Sequence, residues 1–205
     1  MPLFYRHIFV PGTDSSAPPL LLLHGTGGDE TALLDLGRRL SPGSALLSPR
    51  GDVSERGAPR FFRRFAEGVF DLADVRARTL ALADFTTAAA EHYGFDATCL
   101  TAVGFSNGAN IAATLLQLRP EVLAAAVLLR AMVVLDQPAA PASLASKRVL
   151  LINGTRDPIV PVDHPPRLVA LLRAGGADVT LQTTEAGHGL TRTDLAAAQD
   201  FLIRR

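Results

Sequence analysis

Ser106 stands at the centre of Gly104-Phe105-Ser106-Asn107-Gly108, between the apolar run Cys99–Val103 and a helix-like run from Ala109 to Arg119. Strand, tight turn and helix together make the setting of a nucleophile elbow, in which the turn strains its central residue and lifts that side chain out of the sheet. Bulky residues two positions either side would collide, and Gly104 and Gly108 occupy those places. A serine hydroxyl is a poor nucleophile near neutral pH. It needs an imidazole base, a carboxylate to orient that base, and backbone N–H groups to hold the developing oxyanion. Without these partners the pentapeptide reads equally as an ordinary serine in a glycine turn.

Candidates for each partner are present. The apolar run Arg148–Ile152 ends in Asn153-Gly154-Thr155-Arg156-Asp157-Pro158, which delivers Asp157 on a loop just past a strand end. Asp136, after the preceding strand, is its rival for the acid, and a cap on the turn before Pro158 is the alternative role for Asp157. His188 lies in Glu185-Ala186-Gly187-His188-Gly189, where small neighbours leave an imidazole room to reach across the sheet top. The order Ser106, Asp157, His188 is that of nucleophile, acid and base in α/β-hydrolases. His7 falls in the first strand, His92 at a helix end and His164 beside prolines, while His24 is placed to brace a loop rather than act as base. That loop, Leu23-His24-Gly25-Thr26-Gly27-Gly28, can turn backbone N–H groups towards a reacting carbonyl, with Thr26 and Asn107 as the oxyanion donors. It lacks the Gly-Lys-Ser/Thr ending of a phosphate-binding loop, and its glycines do not space as a dinucleotide fingerprint.

These residues must be positioned by a sheet. Short continuous apolar runs predict strands at Phe4–Val10, Leu20–Leu23, Ala45–Ser48, Cys99–Val103, Leu123–Leu129, Arg148–Ile152 and Val179–Thr183. Helices are expected at Glu30–Leu40, Val75–Tyr93, Asn107–Arg119, Pro165–Ala174 and Thr191–Ile203, with stops at Gly94, Pro120 and Gly175-Gly176. Alternating strands and helices give a three-layer α/β domain with a mostly parallel sheet of about seven strands, whose sites form at the strands' carboxyl ends. The Gly51–Asp74 stretch has no simple pattern and reads as a small lid. Its Phe61, Phe62, Phe65 and Phe70, with Ile159 and Val160 beside Asp157, are candidate walls of a short apolar pocket, although core packing would account for any one of the rings.

Composition narrows the classes. The chain has 205 residues, 48% of them hydrophobic, enough for one core and short for two domains, so a single domain is expected. A formal charge of +0, with no basic block, argues against a nucleic-acid surface. The lone Cys99, read as a buried thiol in a strand, cannot form an intramolecular disulfide. No signal peptide or membrane-span pattern is evident, which is consistent with a cytoplasmic protein. No His/Cys/Asp/Glu cluster has metal-ligand spacing, so neither metal nor cofactor is expected. Assembly into a homodimer is left open.

The segments His24-Gly25-Thr26-Gly27-Gly28-Asp29-Glu30, Gly104-Phe105-Ser106-Asn107-Gly108, and Asn153 to Pro161 followed by Gly187-His188 resemble the phospholipase/carboxylesterase family of α/β-hydrolases, over nearly the whole chain. Thr26, Asn107-Gly108-Ala109-Asn110 and Ser48-Pro49-Arg50-Gly51 are more similar to small bacterial hydrolases associated with quinone and hydroquinone metabolism than to the acyl-protein thioesterase branch. That branch typically has Leu at the oxyanion position, Gln after the nucleophile, and Gly-Gly where this chain has Gly108-Ala109. The resemblance implies a serine carboxylesterase acting on small or medium acyl esters through an acyl-enzyme. Thioester or lysophospholipid hydrolysis, acyl transfer by the same residues, and ligand reception without catalysis are the alternatives.

Overall fold

The computed structural model describes residues 3–204. Its central sheet is built from β1 (His7–Val10), β2 (Leu20–Leu23), β3 (Leu46–Pro49), β8 (Thr101–Phe105), β9 (Ala125–Leu129), β10 (Arg148–Gly154) and β11 (Asp178–Thr184). Between β3 and β8 lie two small hairpins, β4 (Val53–Glu55) with β5 (Ala58–Arg60), and β6 (Arg64–Ala66) with β7 (Val69–Phe70). Among the described residues there are five α-helices: α1 (Leu34–Leu40), α2 (Leu72–Tyr93), α3 (Asn107–Leu118), α4 (His164–Ala174) and α5 (Arg192–Ile203). The sheet order is β1-β3-β2-β8-β9-β10-β11, with β1 antiparallel to β3 and the remaining pairs parallel.

Successive strand residues point to opposite faces, and the inner strands are apolar at both parities because helices cover both sides. Leu21 and Leu23 of β2, Leu128 of β9 and Leu151 of β10 pack in the core with Leu82, Ile111 and Leu172 of α2, α3 and α4. Leu20, Leu22, Val127 and Ile152 pack on the other face with Leu34 and Leu40 of α1 and Ala198 and Leu202 of α5. Each fully buried leucine contributes about 1.5–3 kcal/mol. The result is a three-layer α/β fold with a seven-stranded, mostly parallel sheet. Among the described residues no helix is long and apolar enough to cross a membrane.

Chain direction places the site. From β2 the chain moves outward to β3 and then returns to β8 on the other side of β2, so the order reverses between these neighbours. Such a switch point opens a crevice at the carboxyl ends of the two strands. Leu23, at the end of β2, pairs in register with Gly104, so the His24–Gly28 loop and the Ser106 turn emerge side by side.

Several elements differ from the sequence expectation. α1 starts at Leu34 rather than Glu30, because Glu30 is buried and ion-paired to Arg6 at 2.7 Å and to Arg50. The first strand starts at His7, with Phe4 left exposed. α2 begins at Leu72, where the Asp71 carboxylate accepts the Asp74 N–H as an N-cap. Cys99 is half-buried at the end of a 3-10 turn capped by Asp96, not inside β8.

Candidate active site

Ser106 occupies the left-handed region at φ 53° and ψ −116°, strain on the order of 1–3 kcal/mol that surrounding contacts must hold. Its N–H donates to the Leu129 carbonyl at 2.8 Å, and its carbonyl accepts the Asn110 N–H at 2.9 Å. Glycines let the elbow approach its neighbours. A Cβ on Gly108 would overlap the Leu23 carbonyl of β2, and one on Gly104 would meet the backbone of Gly108 and Ala109. The turn is therefore closed from below by β2 and from behind by α3.

The structure brings the expected acid and base to this turn. The Ser106 hydroxyl lies 2.9 Å from His188 Nε2, and His188 Nδ1 lies 2.8 Å from Asp157 Oδ2. A buried carboxylate at Nδ1 holds the proton there, leaving Nε2 to accept from the serine. The other Asp157 oxygen accepts the N–H groups of Ile159 at 2.8 Å and Val160 at 3.3 Å, so the loop after β10 locks the carboxylate's orientation. Asp136 is elsewhere: it is exposed and ion-paired to Arg167 at 3.0 Å. His164 accepts the Val133 N–H, and His7 lies 2.7 Å from the Tyr93 hydroxyl, both away from this chain of bonds.

The loop after β2 supplies the facing wall. His24 is buried, and its ring spans two backbones: Nδ1 donates to the Gly25 carbonyl at 2.7 Å and Nε2 accepts the Gly51 N–H at 2.9 Å. That pair of bonds requires a neutral ring. Burial lowers its pKa to the same effect, outweighing the nearby Gly25 carbonyl and Asp29. The backbone N–H groups of Thr26 and Asn107 make no hydrogen bond among the described residues, and both residues line one cavity with Ser106 and His188. The Asn107 Oδ1 accepts the Phe61 N–H at 2.8 Å, while its buried Nδ2 has no partner among the described residues.

The cavity has a volume of about 250 Å³, at the low end for ligand sites. Its apolar lining comes from Phe70, Phe105, Met132 and Ile159. Phe61 and Phe62 are fully buried in the core instead of forming a wall, because the chain turns inward after β5 and Phe61 packs on the His24 ring at 4.7 Å. Phe65 is 72% exposed, since alternation along β6 sends Arg64 inward and Phe65 out. Val160 is buried behind the wall. In place of an aromatic pocket, the Gly51–Asp74 segment presents Arg60, Arg64 and Glu67 to the cavity alongside Phe70. The mixing of Arg with Phe from Arg60 to Phe65 was the available signal, and it marks the charged residues as well as the rings as inward candidates.

Sequence reasoning also missed what holds the His188 loop. Arg130 follows β9 with φ 59° and is completely buried, as is Asp194 of α5. The two pair at 2.6 Å, and the guanidinium also donates to the carbonyls of Gly189 at 2.8 Å and Gly187 at 3.1 Å, on either side of His188. Burial pushes the Asp194 carboxyl up, but bonds from Arg130, Thr191 and Thr184 outweigh it and hold the group below its usual range. An arginine directly after an apolar strand was the only hint.

Comparison with known proteins agrees with this architecture. Residues 78–204 match the phospholipase/carboxylesterase family. The chain is 42% identical over 196 residues to the hydrolase MhqD of Bacillus subtilis (strain 168), covering 96% of each chain. The Bacillus cereus carboxylesterase superposes with a TM-score of 0.94 at 42% identity, covering 98% of this chain and 94% of that one. YahD, solved with malic acid, superposes with a TM-score of 0.90 at 30% identity over 98% of both chains. The strained serine turn, the reversal of strand order beneath it and this breadth of similarity lead to one assignment: the chain belongs to the phospholipase/carboxylesterase family of α/β-hydrolases.

Proposed function

We propose that this protein is a cofactor-free serine carboxylesterase with Ser106 as nucleophile, His188 as general base and acid, and Asp157 as the group that orients the imidazole. The observation that carries the reading is the continuous chain from Ser106 Oγ to His188 at 2.9 Å and on to Asp157 at 2.8 Å, starting from a strained turn inside a cavity. As Ser106 Oγ bonds to the ester carbonyl carbon, its proton passes to His188 Nε2, and Asp157 stabilises the imidazolium. The carbonyl oxygen, now negative, takes the N–H groups of Thr26 and Asn107. His188 returns the proton to the departing alkoxide; water then attacks the acyl-enzyme with His188 again as base, the bond to Ser106 Oγ breaks to release the acid, and His188 gives its proton back to Ser106.

A cavity of about 250 Å³ supports small or medium acyl groups over long lipid chains. YahD was solved with malic acid, and a small polar acid suits a wall that carries arginine as well as phenylalanine. Thioesters and lysolipids would use the same residues, and alcohols could compete with water for the acyl group. The test is covalent labelling. A fluorophosphonate should label the wild type at Ser106 and leave Ser106→Ala unlabelled, with ester turnover in the folded variant lower by several decades, as for other serine hydrolases that lose a triad member. Near-normal turnover in that variant would overturn the proposal.

A further inference from the structure

Arg60 is a cavity-lining residue whose chemistry the hydrolytic steps leave unused. It ends β5, and its side chain is only 3% exposed. Nε donates to the Phe62 carbonyl at 3.2 Å, and Nη1 donates to Thr26 Oγ1 at 2.6 Å, so the guanidinium is braced against the loop that carries a proposed oxyanion donor. Nη2 has no hydrogen-bond partner among the described residues.

Carboxylates nearby offset part of its charge, but none bonds to that end of the group. Glu55 approaches Arg60 Nε at 3.3 Å without a hydrogen bond, while Arg64 takes both Glu55 oxygens at 2.9 Å and also pairs with Glu67. Both acidic side chains are thus drawn to Arg64. Arg60 is left as a buried cation with unfilled donors facing shared cavity space. Burial first, and then the neighbouring Arg64, disfavour its charge, while Glu55 and Glu67 offset them in part. Unfilled donors on a buried guanidinium are costly, and an anion that takes them relieves the cost. Neutral acceptors would fill the donors with bonds about half as strong as charge-assisted ones, and the planar fork matches a carboxylate in particular.

We propose that Arg60 is a specificity-determining residue, and that the preferred esters carry an ionised carboxylate a few bonds from the scissile carbonyl. This rests on the serine-esterase reading above and adds the substrate class. A small cavity keeps that second group close, as in a monoester of a short dicarboxylic acid or an acyl ester of a hydroxy acid.

Two isosteric pairs separate those sources. Ethyl hydrogen succinate against ethyl 4-methylpentanoate places the carboxylate on the acyl side; acetoxyacetate against isobutyl acetate places it on the alcohol side. For at least one pair, wild-type kcat/KM should favour the charged ester by about tenfold or more, the scale of one hydrogen bond to a charged group. Arg60→Gln should lower that charged-to-neutral ratio by a similar factor, mainly through KM, whatever its absolute rate. Arg64→Gln, which releases Glu55 3.3 Å from Arg60, should lower the ratio as well. A wild-type ratio at or below one in both pairs, or a ratio untouched by Arg60→Gln, overturns the inference. Neutral esters would then still be hydrolysed, and the serine-esterase reading would stand; if no ester were hydrolysed and Ser106 were not labelled, both would fall. Should Arg60→Gln not fold, inhibition of the wild type decides: succinate must inhibit isobutyl acetate hydrolysis at lower concentration than 4-methylpentanoate, and the reverse order overturns the assignment.

Discussion

Replacing Arg130 by Met should separate the support of the base from the base itself. The change removes the guanidinium that bonds to Asp194 at 2.6 Å, to the Gly189 carbonyl at 2.8 Å and to the Gly187 carbonyl at 3.1 Å. It leaves Asp194 fully buried, with the Thr184 hydroxyl and the Thr191 N–H as its remaining partners. Removing one member of a buried ion pair costs about 3–5 kcal/mol, because the other charge stays buried and uncompensated. A chain of this length loses roughly 2–4 °C of melting temperature per kcal/mol, so the midpoint should fall by roughly 6–20 °C. The strain at φ 59° is common to both proteins and cancels.

Adding Asp194→Asn to Arg130→Met should recover part of the loss by discharging the orphaned carboxylate. At a temperature where Arg130→Met is folded, kcat should fall more than KM rises, because the carbonyls flanking His188 are no longer held. Acid unfolding supplies a further readout. The Asp194 carboxyl is held below its ordinary value of 3.8, so its contribution is complete above that value and is lost as pH falls through the depressed one. Without Arg130 the acid midpoint should move to higher pH. Circular dichroism, followed against temperature and against pH, and ester kinetics measure these effects. A melt within about 2 °C of wild type, or a double variant no more stable than the single one, would refute the reasoning.

Asp157→Asn should cut kcat by decades in an ester assay while Asp136→Asn stays near wild type, since only Asp157 touches His188 and Asp136 sits on the surface with Arg167; the opposite ranking would move the acid role. His24 must be neutral to accept the Gly51 N–H, and its lowered pKa means that its contribution to stability is present above the ordinary value of 6.5 and declines as pH falls below it. His24→Gln should therefore flatten the stability profile just below that pH in denaturant titrations, and an unchanged slope would count against the bracing role.

Much of the fold was legible because its signals are local. Apolar runs of strand length, broken by glycines and prolines and alternating with helical stretches, are enough to specify a parallel sheet covered on both faces. Where local signals competed with distant partners, the boundaries moved. Glu30 reads as the start of a helix but is drawn away by Arg6 and Arg50, and Cys99 reads as strand but is held in a turn by the Asp96 cap.

The candidate site divides along the same line. Ser106, Asp157 and His188 could be brought together from the sequence because a tight turn, a strand end and a small-residue loop each carry their own pattern, and chain order suggests the proposed roles. The composition of the cavity wall could not be read that way. Phe61, Phe62, Phe65 and Phe70 are alike as residues, and only the path of the two hairpins over the strand ends buries the first two, exposes the third and gives the fourth to the cavity. The same path turns Arg60 inward against Thr26. Arg130 and Asp194 are 64 residues apart and carry no mutual pattern, yet tertiary packing joins them around the His188 loop. A sequence determines which elements form and in what order, because those are set by neighbours along the chain. Which charges face each other in the interior is decided by the packing of the layers, because burial and compensation depend on groups that only the folded chain brings together.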